Sequence, residues 1–339
     1  MSLDLDNTYL ENDERDALYG LERQNLQFMQ AFEEAGQIKI PASYKKAEQI
    51  VFLGLGASAL PGAVVKAVLQ ADVKVPILCL NAGEVPKFVS SKTLVVALSH
   101  FGNTDAVLEA VKNYSKKKAK IAVISTGGKL VAFAKREKLP VYKYDVQDLA
   151  ITPTFAGGFM LGGVLGILKS VELLKVAKSQ ITKLVEAITD VIDSSESEVK
   201  SGNNPAKIVA NELHGRPLII LASEHLLGSA TAFAHYVEEL GGQSAQVFAL
   251  AEAGVKSFNF VIESDNYSKP FEIVILKSGL YSKSENKALE ELAGSLEERG
   301  VSVVDYEARG KSRLEEAGEI VQFGMFVGYY LALLNKMKI

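Results

Sequence analysis

The chain has 339 residues, 48% of them hydrophobic, with 27 glycines, 9 prolines and a formal net charge of −4. That length accommodates two domains, each able to bury a core of its own, and the composition is that of a globular α/β protein. Lysines and carboxylates interspersed along the chain leave no basic face for nucleic acid and no polybasic or amphipathic membrane signature, so neither is expected as a partner.

A single cysteine, Cys79, excludes disulfide frameworks and CxxC sites, and its apolar run VPILCL marks it as core filling. The four histidines show no metal-ligand spacing, and no metal or cofactor is expected. The acidic N-terminus MSLDLDNTYLENDERD lacks a charged-then-apolar signal pattern, from which a cytoplasmic location is expected.

Residues 1–20 are polar and are expected to drape over another element; Leu21 to Ala35 has helical spacing and Gly36 ends the run. Alternation begins at Ile50–Leu53, a strand followed by Gly54-Leu55-Gly56-Ala57-Ser58 and a helix from Ala59 to Gln70. Val75–Leu80 is a second strand. Thr93–Leu98 is a third, and it runs into Ser99-His100-Phe101-Gly102-Asn103-Thr104, where a helix opens. Such a junction is an anion site: the first helical N–H groups have no internal partner and the helix dipole is positive there. Ser99 and Thr104 supply hydroxyls, Gly102 a close backbone approach, and Asn103 an N-cap.

Ile121–Ile124 is a fourth strand, ending in Ser125-Thr126-Gly127-Gly128, and Val141–Tyr144 a fifth. Thr154–Leu168 is too short and too glycine-rich to span a membrane; it reads as a buried helix with Thr152 as N-cap and Pro153 at the first helical position. A connecting helix is expected from Val171 to Ser201. A second pass follows, with strands at Leu218–Leu221, Ala245–Leu250, Glu272–Leu276 and Val301–Val304, helices at Ala230–Leu240 and Ser284–Arg299, and an apolar helix from Leu314 to Met337. Short buried runs alternating with helices mean parallel sheets covered on both faces, which bind ligands beyond the carboxyl ends of their strands.

Taken together, these residues resemble the sugar isomerase (SIS) family, and more narrowly its bifunctional phosphoglucose/phosphomannose isomerases. Gly54 to Ser58 is similar to the family's GxGGS turn, Ser99 to Thr104 to its SxSGNT loop and Ser125 to Gly128 to its (T/S)SGG turn. Asn204-Pro205-Ala206-Lys207 is similar to the NPAK-type opening of the second domain, and Tyr329 to Leu334 to the C-terminal helix. The resemblance implies two SIS-type domains, each a parallel sheet flanked by helices: an N-terminal helical extension over 1–40, a first domain over 41–175, a connecting segment over 176–204 and a second domain over 205–339. It also implies a sugar phosphate ligand, a homodimer, and phosphate contacts from Ser58, Ser99 and Thr104, with Gly56, Gly102, Asn103 and Ser125 in the same turns. Phe101 stands in place of the loop's second serine. A lost hydrogen bond to a charged group is worth about 1.5–3 kcal/mol, tenfold or more in affinity.

The family isomerises aldose and ketose phosphates through an enediolate, with a glutamate base, a histidine, an arginine and a C-terminal lysine. Here Thr154 follows the helix-starting proline, Gly241-Gly242-Gln243 occupies the glutamate segment, no histidine lies near Val255–Phe258, and Glu315-Glu316 stands where the lysine is expected. Substitutes for the base are Glu239, with neighbouring Glu238, and Glu252, with His235 for proton transfer. Two readings follow: a phosphosugar isomerase diverged at its chemistry, or a non-catalytic phosphosugar-binding protein that kept the anion cradle. A dinucleotide site is disfavoured, because Leu80-Asn81-Ala82-Gly83 lacks the acidic residue expected after the second strand.

Overall fold

The computed structural model describes residues 3–4, 13, 16–146, 149, 153–250, 271–298 and 300–339. It divides into two compact units, Tyr19–Val185 and Met1–Leu18 together with Glu186–Ile339.

Among the described residues the first unit is built on five parallel strands, β1 (Gln49–Leu53), β2 (Ile77–Leu80), β3 (Thr93–Leu98), β4 (Lys120–Ser125) and β5 (Val141–Lys143), in the order β2-β1-β3-β4-β5. All six residues of β3 are buried, as a central strand covered on both faces requires. Its helices are α1 (Gln24–Gly36), α2 (Leu60–Leu69), α3 (Asp105–Lys116), α4 (Gly128–Arg136) and α5 (Gly157–Ser170). One face of the sheet packs Val51, Val95 and Val123 against Val107 and Val111 of α3 and Leu130 and Phe133 of α4. On the other face α2 closes over Phe52, and α5 runs against α1. There the expected role of the glycines holds: a Cβ on Gly162 would stand 2.3 Å from the Phe28 carbonyl oxygen, and one on Gly158 2.5 Å from that of Gln24. The α-helix begins after a short turn, Pro153–Ala156, and Thr152 lies outside the described residues.

Two expectations are corrected here. Cys79 is exposed rather than core filling, because β2 is the edge strand, with a neighbouring strand on one side only. The connecting helix is shorter than expected. Glu172 turns left-handed (φ +57°) after α5, and the next helix, α6, spans Lys178–Ser195.

Among the described residues the second unit carries four parallel strands, β6 (Leu218–Ala222), β7 (Ala245–Ala249), β8 (Glu272–Ser278) and β9 (Val303–Ala308), in the order β7-β6-β8-β9. Its helices are α7 (Pro205–Leu213), α8 (Leu227–Glu239), α9 (Lys283–Glu298) and α10 (Arg313–Leu334). Asn204 caps α7, its side chain accepting from the Lys207 N–H at 2.9 Å. Lys207 is itself buried, its Nζ donating to the Ser197 and Val199 carbonyls at 2.8 Å each. Helix α10 is long and apolar enough to cross a membrane, yet 94% of its apolar window is buried inside the protein. It packs closely on α8, where a Cβ on Gly328 would lie 2.6 Å from the Tyr236 carbonyl oxygen.

Charge is divided unequally between the units. Tyr19–Val185 has 22 Lys and Arg against 12 Asp and Glu, whereas the rest of the chain has 15 against 29. The interspersion seen along the whole sequence does not hold within either unit.

Candidate functional site

In the first sheet the chain order reverses at β1 and β3, so the turns leaving these two strands lie side by side at the carboxyl edge. This is where sheets of this class take their ligands. The turn after β1 places Gly56 in the left-handed region (φ +55°) with open space in front of it, and brings Ser58 to the edge of the turn after β3. The Ser58 hydroxyl accepts from the His100 N–H at 3.4 Å, and the Ser99 hydroxyl donates to that of Thr104 at 3.4 Å. Thr104 is the N-cap residue of α3 with no side-chain capping bond, leaving its hydroxyl and the first N–H groups of the helix available to an anion. Ser58, Ser99 and Thr104 are thus brought together as expected.

Asn103 does not cap α3. Its Oδ1 accepts from the Lys129 N–H at 3.1 Å, at the start of α4, so it serves the helix of the next turn. Ser125 is likewise drawn into the loops: its hydroxyl lies 3.1 Å from the His100 carbonyl oxygen and 3.2 Å from the Gly127 N–H. Gly102 (φ +66°) makes its close approach to the neighbouring turn rather than to open space. A Cβ there would fall 2.0 Å from the Gly127 carbonyl oxygen.

His100 is the hub of this arrangement. Its N–H reaches the β1 turn, while its carbonyl accepts from the Thr126 N–H at 2.8 Å and hydroxyl at 2.7 Å in the β4 turn. Its Nδ1 lies 2.9 Å from the Tyr144 hydroxyl beyond β5. Burial holds the imidazole at a pKa of about 4 and pushes the Tyr144 phenol up, so a neutral ring faces a protonated phenol at neutral pH. Tyr144 stacks on Phe159 of α5 with centroids 5.1 Å apart. The Phe101 ring stands edge-on to His100 at 4.5 Å and remains 56% exposed.

The expected base and proton carrier lie in the second unit. His235 and Glu239 are one helical turn apart on α8, with His235 Nε2 against Glu239 Oε2. A helix following a parallel strand runs back to the amino edge of its sheet, and the end of α8 does so: Glu238 Oε1 accepts from the Ala245 N–H at the start of β7. Within their own unit, therefore, both lie away from the carboxyl edge. Glu252 and Val255–Phe258 lie outside the described residues.

At the carboxyl edge of the second sheet the structure shows a cluster that sequence reasoning missed. His225 Nε2 lies 2.6 Å from Glu316 Oε2, which also accepts from the Ser278 hydroxyl at 2.6 Å, all three buried. Ser223 donates to Glu285 at 2.6 Å, and Glu224, left-handed at φ +45°, accepts from the Ser282 N–H. Glu319 accepts from the N–H groups of Arg309 and Gly310 and from the Tyr306 hydroxyl; burial raises its carboxyl pKa against the pull of these donors. The acidic stretch that stands where the lysine is expected is internal, with each carboxylate held by donors.

Residues 202–338 match the model of the bacterial phospho-glucose isomerase C-terminal SIS domain. The chain belongs to the sugar isomerase (SIS) family. This SIS protein is 27% identical to a bifunctional phosphoglucose/phosphomannose isomerase of Caldicellulosiruptor bescii, over 91% of this chain and 90% of that one. It is 30% identical to a D-glucosamine-6-phosphate 4-epimerase of Sulfolobus acidocaldarius, over 66% of each chain. Its fold is similar to that of a hypothetical protein from Thermus thermophilus, with a TM-score of 0.75 at 16% identity, covering 98% of this chain and 88% of that one. The SIS protein is accordingly phosphosugar-isomerase-like in family, with two parallel sheets each flanked by helices.

Proposed function

We propose that the first unit binds the phosphate of a sugar 6-phosphate between Ser58, Ser99, Thr104 and the start of α3, and that the protein interconverts fructose 6-phosphate with glucose 6-phosphate and mannose 6-phosphate. The observation that carries the binding reading is the convergence of three hydroxyls and uncapped helical N–H groups at the switch point of the sheet.

Isomerisation moves a proton between C1 and C2 of the sugar through an enediolate, and needs a base within hydrogen-bond reach of the carbon-bound proton. Among the described residues no carboxylate hydrogen-bonds Ser58, Ser99 or Thr104, and this favours a second reading, a phosphosugar-binding protein without turnover. A coupled assay of fructose 6-phosphate conversion, run beside a thermal shift with the same ligands, separates the two. Turnover lost in Glu239→Gln or Glu252→Gln supports the isomerase with a relocated base. A ligand-induced rise in Tm without turnover supports the binding protein, and neither signal overturns both readings.

A further inference from the structure

The surplus cations of the first unit gather at the amino edge of its sheet, the edge opposite the cradle. Lys46 precedes β1, Lys87 and Lys92 precede β3, Lys117, Lys118 and Lys120 lead into β4, and Lys135, Arg136 and Lys138 lead toward β5. Strand order sets these turns side by side, and bonds between them make the edge continuous. The Tyr44 hydroxyl donates to the Ile121 carbonyl at 3.1 Å, the Glu48 N–H donates to the Lys92 carbonyl at 2.8 Å, and Lys120 Nζ donates to the Ser91 carbonyl. Lys45, Lys92 and Arg136 have carboxylate partners in Glu172, Glu48 and Glu137. Among the described residues, Lys46, Lys87, Lys117, Lys118, Lys135 and Lys138 are exposed and have no carboxylate within ion-pair distance.

Two of these lysines stand where folding alone favours another residue. Lys118 (φ +60°) and Lys138 (φ +55°) close α3 and α4 in the left-handed conformation that glycine adopts without strain. At the β1 end of the same edge, next to Lys87 in the chain, Phe88 is 43% exposed and is anchored through its carbonyl, which accepts from Gln49 Nε2 at 3.2 Å at the start of β1.

We propose that this edge binds single-stranded nucleic acid, its lysines on the phosphate backbone and Phe88 stacked on a base. Lysines are point charges that grip phosphate without reading sequence, and an exposed aromatic among them gives the stacking platform that single strands use. An anionic membrane would call for a broader apolar face than one phenyl ring. The expectation against nucleic acid rested on evenly mixed charge, which this unit does not have.

The test is fluorescence anisotropy of the full chain with a labelled oligouridylate of about 20 nucleotides. Binding is expected at about 50 mM salt, with a log–log salt slope near −3, as about four to five phosphate contacts on a single strand give. Lys118→Gly/Lys138→Gly suits the backbone, so it should bind about tenfold more weakly while raising Tm, separating lost contact from lost fold. Phe88→Ala should weaken binding severalfold with the salt slope unchanged. The proposal is overturned by no binding at about 50 mM salt with tens of micromolar protein, by full binding in the double glycine variant, or by equal capture of polyglutamate or anionic vesicles together with indifference to Phe88→Ala.

Discussion

His100 and Tyr144 meet Nδ1 to hydroxyl at 2.9 Å inside the first unit, and the same histidine's backbone holds the turns after β1 and β4. Because burial depresses the His100 pKa from 6.5 to about 4, the unfolded chain takes up a proton that the folded chain refuses between these values. The stability this group contributes is complete above pH 6.5 and is lost as pH falls toward 4, about 3 kcal/mol in all at 1.36 kcal/mol per pKa unit. Urea unfolding at pH 7.5 and 4.5 should show that loss in the native sequence and a smaller one in His100→Gln. Equal pH dependence in both would contradict the assignment.

The cradle predicts its own mutants. Ser99→Ala and Thr104→Ala each remove one hydroxyl from the anion position, so each should weaken glucose 6-phosphate binding by about tenfold, the worth of one hydrogen bond to a charged group. Phe101→Ser restores a hydroxyl at the loop position where the family has one and should tighten binding by a similar factor. Titration calorimetry on the three variants decides it, and unchanged affinity in both alanine variants places the phosphate elsewhere.

What the sequence made legible was whatever is local. The apolar run of β3 ending at Ser99, and the helix opening at Thr104, are a few residues apart, and so the meeting of these two hydroxyls was readable. The Asn103 cap was misread because the residue's partner, Lys129, belongs to another turn 26 residues away, and the bond that ties Ser125 to His100 spans 25 residues. Cys79 followed from position in the sheet, since an apolar run does not reveal that its strand is at the edge. The placement of Glu239 at the amino edge was available in advance: a helix after a parallel strand must return there. The charge division needed the boundary at Val185, which composition along the whole chain averages away.

Helices α1 and α5 touch through glycine, and this contact carries a stability prediction. Gly162→Ala would put a methyl group 2.3 Å from the Phe28 carbonyl oxygen, a backbone atom that can yield only if the whole helix moves. Overpacking of this kind costs about 1–3 kcal/mol. A unit of this size loses about 2–4 °C in Tm per kcal/mol, so a drop of several degrees is expected by calorimetry. Gly36→Ala, with nothing within 4 Å of the new methyl, serves as the control and should leave Tm nearly unchanged.

The buried pair His225 and Glu316 gives the last prediction. Glu316 Oε2 accepts from both the imidazole and the Ser278 hydroxyl, and both donors are walled off from water. Glu316→Ala strands the two of them together and leaves a cavity, so it should cost about 3–5 kcal/mol, as removal of one partner from a buried polar pair does. Glu316→Gln keeps an oxygen that can accept, so it should cost less than half as much. Because β6, β8 and α10 meet at this cluster, the damage should be confined to the second unit: hydrogen exchange should quicken in β8 and α10 and stay slow in β3. If the alanine variant costs under about 1 kcal/mol, the pair is dispensable to the fold, and its burial at the carboxyl edge of the sheet needs a functional explanation instead.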